Sequence, residues 1–224
     1  MQFDRQKTKQ LAVTGMLAAV AYLLVLVTRF PIFPAAPFLT YEPKDAVIAI
    51  GGFLYGPVTS LLLALLVSFL EMVTVSTTAW IGFVMNFLSS AAFALPAALF
   101  YRCNRKLSGA VIGLSGGCVT MTAVMVLWNW LLTPLYMHVD RSLIVGMLFP
   151  VFLPFNLLKS VLNAGFAMLL YKPAVKALRA ARMLPEEKGA ASLHKKKSLL
   201  VLGFSLAVIA AVITLMLLIW RGIF

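Results

Sequence analysis

Apolar residues along this chain form long uninterrupted runs, unlike the alternating or one-faced patterns typical of soluble domains. Several runs carry no charged side chain: 10–28, 46–70, 72–101, 107–139, 142–158 and 198–220. A run of about 20 apolar residues is long enough to cross the hydrocarbon core of a bilayer as an α-helix. The pattern therefore predicts an all-α membrane protein that crosses the bilayer several times.

A strong turn signal interrupts the apolar stretch 46–73. Gly56-Pro57 lies within it, and a Gly-Pro pair favours a turn over a continuous helix. The helix before this turn would rise only about 15 Å, which is too short to span a bilayer alone. The complete set of predicted helices is 9–28, 45–55, 57–73, 80–101, 108–132, 150–171 and 198–220.

The distribution of basic residues supports this division. The chain has 19 Lys and Arg residues and a formal net charge of +12. Most of the basic residues lie before the first helix, in 102–106 and in 172–197. With the split, all three segments lie on one side, as the positive-inside rule requires, and the N-terminus is cytoplasmic. No aromatic residues interleave with these charges, so we expect contact with anionic lipid and no nucleic-acid partner.

A lysine lies within one of the predicted spans. Lys159 is part of the apolar stretch 150–171, where a charge costs on the order of 3 kcal/mol. Asn156 lies three residues earlier, on the same helix face. A chain bears this cost where the charge faces a polar cavity or a partner, so we expect this stripe to face the interior.

Other polar residues are expected at the same depth. Asn86 and Asn129 fall in the outer halves of their helices, as do Asn156 and Lys159, and the proline- and aromatic-rich first loop (29–45) lies on that side. This arrangement predicts an outward-opening pocket for a planar solute with polar edges. Hydrogen bonding between helices is an alternative role for the asparagines.

The remaining polar residues offer little catalytic chemistry. Cys103 and Cys118 lack metal or redox spacing, and no phosphate-binding loop, zinc-binding helix or nucleophile elbow is present. We expect no enzyme activity and no metal site, because Lys159 is the only titratable residue expected deep in the membrane. We interpret Glu71 as a solvated residue at the interface and Asp45 as a cap of the helix that follows it.

Small residues allow close helix contacts at two places. Gly15 and Ala19 form a small-xxx-small pair on the first helix, which suits either packing within the protein or docking onto another membrane subunit. The Gly-rich segment 113–117 likewise indicates close packing of the fifth helix.

Four segments resemble those of a known family. They are "FPIFPAAPFLTYEPKDAVIAIGGFLYGP" (30–57), "GFVMNF" (82–87), "NWLLTPLY" (129–136) and "LPFNLLKS" (153–160). In their order and spacing they are similar to the riboflavin-binding S components of energy-coupling-factor (ECF) transporters. The resemblance covers roughly residues 5–175 and implies a six-helix core with a short second helix.

The resemblance also implies a binding site and partners. Asn129, Asn156 and Lys159 would bind the polar edge or ribityl chain of riboflavin, Asn86 would line the pocket, and the first loop would contribute Leu39, Thr40 and Tyr41. Gly15-x-x-x-Ala19 is the nearest match to the face that docks on the coupling subunit. Two ATP-binding subunits would supply energy, and the S component would topple in the membrane to release riboflavin, a transported ligand and not a cofactor.

The expected organisation has three parts: a six-helix core over 1–175, a basic cytoplasmic linker over 176–197 and an additional transmembrane helix over 198–224. We expect a vitamin-capturing subunit in the cell membrane. The alternatives are an S component for another vitamin or a purine-like solute, and a stand-alone transporter driven by an ion gradient, which would need Glu71 as a buried carrier site. A membrane enzyme would need a cluster of titratable residues at membrane depth, where only Lys159 is expected, and a scaffold protein would leave Lys159 without a purpose.

Overall fold

The computed structural model describes residues 2–32, 39–76 and 78–184, together with the single positions 203, 206, 207, 210 and 214. The described chain is helical apart from one short hairpin in the first loop, in which β1 and β2 pair antiparallel. The elements are α1 Gln2–Thr28, β1 Phe30–Pro31, β2 Thr40–Tyr41, α2 Lys44–Tyr55, α3 Pro57–Thr74, α4 Ala79–Cys103, α5 Leu107–Met137, α6 Arg141–Met147, a π-helical turn Leu148–Phe152 and α7 Leu153–Ala180.

Five helical segments within the described residues are long and apolar enough to cross a membrane. They are Gln6–Thr28, Pro57–Thr74, Ala79–Cys103, Leu107–Leu135 and Arg141–Ala180. Their outer surfaces expose large apolar side chains such as Leu11, Val58 and Phe149, which suits a lipid environment. The prediction of a multi-pass helical membrane protein is confirmed.

The predicted split at Gly56-Pro57 is confirmed. Gly56 has a φ of +97°, a left-handed conformation that glycine adopts without steric cost. Its N–H caps α2 by donating to the Gly52 carbonyl at 2.8 Å, and Pro57 begins α3. Every residue of α2 from Lys44 to Phe53 is buried, so this short helix lies inside the protein and need not span lipid by itself.

The predicted helix over 150–171 is too short at both ends. A continuous helical segment runs from Arg141 to Ala180, with the π-helical turn inside it. Pro150 and Pro154 lie in and just after this turn. Each proline lacks a backbone N–H, and a π-helical turn is a local adjustment that lets a helix continue past a disrupted hydrogen-bond ladder.

The close packing predicted for the Gly-rich segment of α5 is confirmed, and the structure shows that α4 is the partner. A Cβ added to Gly113 would lie 2.7 Å from the Ala97 carbonyl oxygen, and one on Gly117 would clash with the Phe93 carbonyl oxygen. The two backbones therefore approach too closely for any side chain at these positions.

The predicted C-terminal transmembrane helix over 198–224 lies outside the described residues, apart from the single positions named above. The same is true of the predicted linker beyond residue 184. Before that point α7 extends to Ala180, and Lys9 on α1 donates to the Arg182 carbonyl at 2.8 Å.

We expect Gly117→Val to destabilise the protein by about 1–3 kcal/mol, because the added side chain would force α4 and α5 apart. Thermal unfolding in detergent, followed by tryptophan fluorescence, measures this loss. Gly116→Ala is the control, since its added methyl would meet no atom closer than 3.7 Å. Equal stability of the two variants would contradict the close packing of α4 on α5.

Candidate ligand-binding site

A cavity of about 430 Å³ opens between the first loop and the helix ends beneath it. Its walls come from both ends of the first loop, from the end of α3 and the turn after it, and from one face each of α4, α5 and α7. The lining residues are Arg29, Leu39, Thr40, Glu42, Glu71, Val75, Ser76, Thr78, Gly82, Met85, Asn86, Ser89, Met125, Asn129, Phe155, Asn156 and Lys159.

Most of the residues predicted to bind a ligand lie around this cavity. Its walls include Leu39, Thr40, Asn86, Asn129, Asn156 and Lys159. Tyr41 does not line it. The Tyr41 side chain turns into the protein, where it is 4% exposed and its hydroxyl donates to Asn163 Oδ1 at 3.3 Å. Contact of any of these residues with a ligand remains a prediction.

Asn129 on α5 and Asn156 on α7 form no hydrogen bonds to other helices among the described residues. Asn129 Nδ2 donates to the Met125 carbonyl and Asn156 Nδ2 to the Phe152 carbonyl, each at 2.7 Å and one turn earlier in the same helix. Asn129 Oδ1 accepts from Thr133 on its own helix. The interhelical bonding considered as an alternative role is therefore absent for these two residues, within the described part of the chain.

Asn86, in contrast, joins two helices. Its Nδ2 on α4 donates to Glu71 Oε2 on α3 at 2.7 Å. The interpretation of Glu71 as a solvated interfacial residue is wrong, because Glu71 is only 1% exposed and lines the cavity. Lys44, which precedes it by 27 residues, contacts both of its carboxylate oxygens at 2.5 Å, and this pairing offsets the cost of burying the charge.

A chain of ion pairs connects the first loop to the helix bundle. Lys44 Nζ also lies 3.1 Å from Glu42 Oε2, and Arg29 Nε lies 3.3 Å from Glu42 Oε1. Arg29 additionally donates to Thr40 Oγ1 and to the Val75 carbonyl, which belongs to the turn between α3 and α4. Arg29 thus connects the two sides of the cavity opening.

The pKa of Glu42 shows how strongly this network favours the ionised form of its side chain over the protonated form. Burial alone would raise the pKa, but the positive charges of Lys44, Lys159 and Arg29 together lower it to about 2. Glu42 is therefore ionised at neutral pH, although its side chain is almost fully buried.

Asp45 has a different role from the predicted helix cap. It forms no side-chain cap at the start of α2, and it is fully buried. Its carboxylate accepts from Ser90 Oγ on α4 at 2.5 Å and from Asn163 Nδ2 on α7 at 3.3 Å. The prediction was wrong because α2 is packed inside the bundle, where polar side chains of α4 and α7 compete for this carboxylate.

Lys159 is 5% exposed and lies in the wall that α7 contributes. It forms no ion pair or hydrogen bond with any residue in the described ranges. Its charge acts through space on Glu42 and Glu71. The cavity therefore has a lysine without a direct partner in one wall and two carboxylates in another.

The expectation that Lys159 is the only deep titratable residue is wrong, because Lys44, Asp45 and Glu71 are buried as well.

Several residues that line the cavity were not identified from the sequence. Gly82, Met85, Asn86 and Ser89 form one stripe of α4 at the i, i+3, i+4, i+7 spacing of a helix face. Extending this spacing from Asn86 would have found the other three. Ser89 Oγ is buried and has no hydrogen-bond partner among the described residues. No group of three His, Cys, Asp or Glu side chains in the described ranges is arranged to hold a metal ion.

We expect Lys44→Met to lower the stability by about 3–5 kcal/mol, because it leaves buried carboxylates without their ammonium partner. The double variant Lys44→Met, Glu71→Gln should recover much of this loss, since the glutamine is neutral and still accepts from Asn86. Melting temperatures in detergent measure both effects. A double variant less stable than Lys44→Met would argue against this ion pair as the source of the loss.

Comparisons with known proteins agree with this architecture. Residues 9–171 match the family model described as "ECF transporter, substrate-specific component". A solved structure titled "Structure and mechanism of the S component of a bacterial ECF transporter" is 29% identical, with a TM-score of 0.66, and the match covers 77% of this chain and 99% of that one.

Two curated proteins named "Riboflavin transporter RibU" are also similar. The one from Staphylococcus aureus (strain TCH60) is 28% identical over 177 residues, which cover 76% of this chain and 93% of that protein. The one from Streptococcus thermophilus (strain ATCC BAA-250 / LMG 18311) is 28% identical over 180 residues, covering 76% and 85%. Because the family model spans most of the sequence, the chain belongs to the substrate-specific components, or S components, of ECF transporters.

Proposed function

We propose that this chain is the substrate-binding subunit that captures riboflavin for an ECF transporter. The observation that carries the proposal is the cavity, in which the buried cation Lys159 and the amides of Asn86, Asn129 and Asn156 share the walls with apolar side chains. The two relatives named as riboflavin transporters support riboflavin as the ligand.

The cavity suits a flat ligand with a polar edge. Its volume of about 430 Å³ falls in the range of roughly 300–1,000 Å³ that small-molecule sites occupy. Met85, Met125 and Phe155 offer apolar and polarizable surfaces to the face of an isoalloxazine ring.

The polar groups complement the edges of such a ligand. The Lys159 ammonium has donors available for the carbonyl oxygens of the ring or the hydroxyls of the ribityl chain. Asn156 Oδ1 accepts no hydrogen bond from the described residues, so it is available to accept one from a ring N–H. Leu39 and Thr40 close the site from the first loop, while Tyr41 holds that loop in place through Asn163.

The proposed partners are those of an ECF transporter. A membrane coupling subunit would bind the exposed face of α1 that includes Gly15 and Ala19, and two ATP-binding subunits would supply the energy. A Cβ on Gly15 would meet no atom within 4 Å, which favours docking over packing within the described part of the protein. The S component would then topple in the membrane to release the vitamin inside, with the N-terminus in the cytoplasm.

Under this proposal the 1–175 core is sufficient for capture, and the linker over 176–197 and the helix over 198–224 serve as an additional anchor. The chain would have no enzyme activity of its own, and riboflavin would be cargo and not a cofactor.

Two other candidates stay open to test. Another vitamin or a purine-like solute could occupy a cavity with the same polar edge. A stand-alone carrier driven by an ion gradient gains some support from the burial of Glu71. However, Glu71 is paired with Lys44 and Asn86, and a carboxylate with these partners is poorly suited to picking up and releasing a cation.

Titration of the purified protein with riboflavin, followed by quenching of flavin fluorescence, tests the ligand. We expect tight binding to the wild type and a loss of roughly 10- to 100-fold in Lys159→Met, because a charged hydrogen bond is removed. Lys176→Met, at an exposed position of the same helix, is the control. Absence of quenching in the wild type would move the ligand to another vitamin, and equal affinity in Lys159→Met would overturn the pocket assignment.

Gly15→Leu should leave riboflavin binding unchanged and reduce transport strongly, because the larger side chain blocks close approach of another helix. Uptake of riboflavin into cells that carry the complete transporter measures this effect. Gly146→Leu is a matched control, since a Cβ at Gly146 on α6 also meets no atom of the described residues within 4 Å. Normal uptake by Gly15→Leu would place the docking face elsewhere.

A further inference from the structure

The ionisable side chains at the cavity balance one another in formal charge. The two cations and two carboxylates that line it are Arg29, Lys159, Glu42 and Glu71. Their formal charges sum to zero, although the whole chain carries +12.

The carboxylates are placed where they offset the cations that a ligand would meet. Glu42 and Glu71 line the cavity with Arg29 and Lys159, whereas Lys44 lies behind the wall and is 1% exposed. Glu42 contacts Arg29 and Lys44 directly. Lys159 has no direct partner among the described residues, but its charge acts through space on both glutamates. Without the two glutamates, the same walls would present a surplus of positive charge.

We infer that Glu42 and Glu71 determine the charge selectivity of this site. They keep the cavity electrically neutral, so that it favours an uncharged ligand over a phosphorylated form of the same molecule. The inference rests on the proposed function, because it takes the ligand to be a flavin. Riboflavin is uncharged at neutral pH, whereas riboflavin 5′-phosphate carries a charge between about −1.5 and −2.

The physical basis is the poor screening of charge inside the bundle. At an effective dielectric constant of about 20, a unit charge several ångströms away still changes an interaction with an anion substantially. A site holding Arg29, Lys44 and Lys159 without the two glutamates would attract a phosphate group strongly. With both glutamates in place, their negative charges cancel part of that attraction. The affinity for an uncharged flavin changes little, because it carries no net charge to be attracted or repelled.

A purely structural role for the two glutamates makes a different prediction. If they only held the loop on the bundle, removal of either would weaken the uncharged and the phosphorylated ligand by the same factor. The ratio of the two affinities therefore separates selectivity from stability, because damage to the fold cancels in it.

The experiment measures the dissociation constants of riboflavin and riboflavin 5′-phosphate for the full chain in detergent, by quenching of flavin fluorescence. We expect Glu71→Gln to improve binding of the phosphate relative to riboflavin by about tenfold. The glutamine still accepts from Asn86, and Lys44 keeps Glu42 as its partner. Glu42→Gln should shift the ratio in the same direction, which provides a second variant if the first does not fold.

Two further variants serve as controls for the effect of charge on the ratio of the two affinities. Asp140→Asn makes the same change in net charge at an exposed residue outside the cavity lining and should leave the ratio unchanged. Arg29→Gln removes a cation from the lining and should shift the ratio in favour of riboflavin.

An unchanged ratio in the glutamate variants that fold, or an equal shift in Asp140→Asn, would overturn the inference while leaving riboflavin capture intact. Absence of flavin binding to the wild type would overturn the proposed function and, with it, this inference.

Discussion

The Lys44 ammonium, buried between the carboxylates of Glu42 and Glu71, is the contact on which the rest of the site depends. It lies at the first residue of α2 and joins the end of the first loop to α3. Asn86 extends the connection to α4 by donating to the same Glu71 carboxylate. Because separating these buried charges from one another would cost several kcal/mol, this group constrains where the loop and three helices can lie relative to one another.

The backbone geometry of α2 makes that contact possible. Gly56 ends the helix in a conformation that a side chain would disfavour, and Pro57 starts α3 at once. The short helix can therefore be enclosed by its neighbours and place Lys44 and Asp45 inside the protein. Farther along the chain, the helical segment from Arg141 to Ala180 contributes Asn156 and Lys159 to the opposite wall. A neutral cavity within a positively charged membrane protein results from these two placements.

The asparagines show why polar residues in a membrane helix must be interpreted with care. Asn129 and Asn156 each donate one hydrogen bond within one turn of helix, so they can face a cavity at reduced cost. Asn86 instead bonds across helices. Asparagines at similar depth thus have two roles, bonding within their own helix or joining two helices. Asn86 has the second role because Glu71 lies within its reach.

The sequence by itself determined the multi-pass helical architecture, the split at Gly56-Pro57, the close packing at Gly113 and Gly117, and the inward stripe of Asn156 and Lys159. These features depend on local patterns: the length of an apolar run, a turn signal, small residues and the cost of one charge in lipid. The tertiary structure alone decided that Glu71 is buried and paired, that Asp45 binds Ser90 and Asn163 instead of capping α2, and that Tyr41 faces away from the cavity. Each of those contacts joins residues at least 27 positions apart. A local pattern cannot specify such a partner, because it carries no information about which distant helix packs beside it.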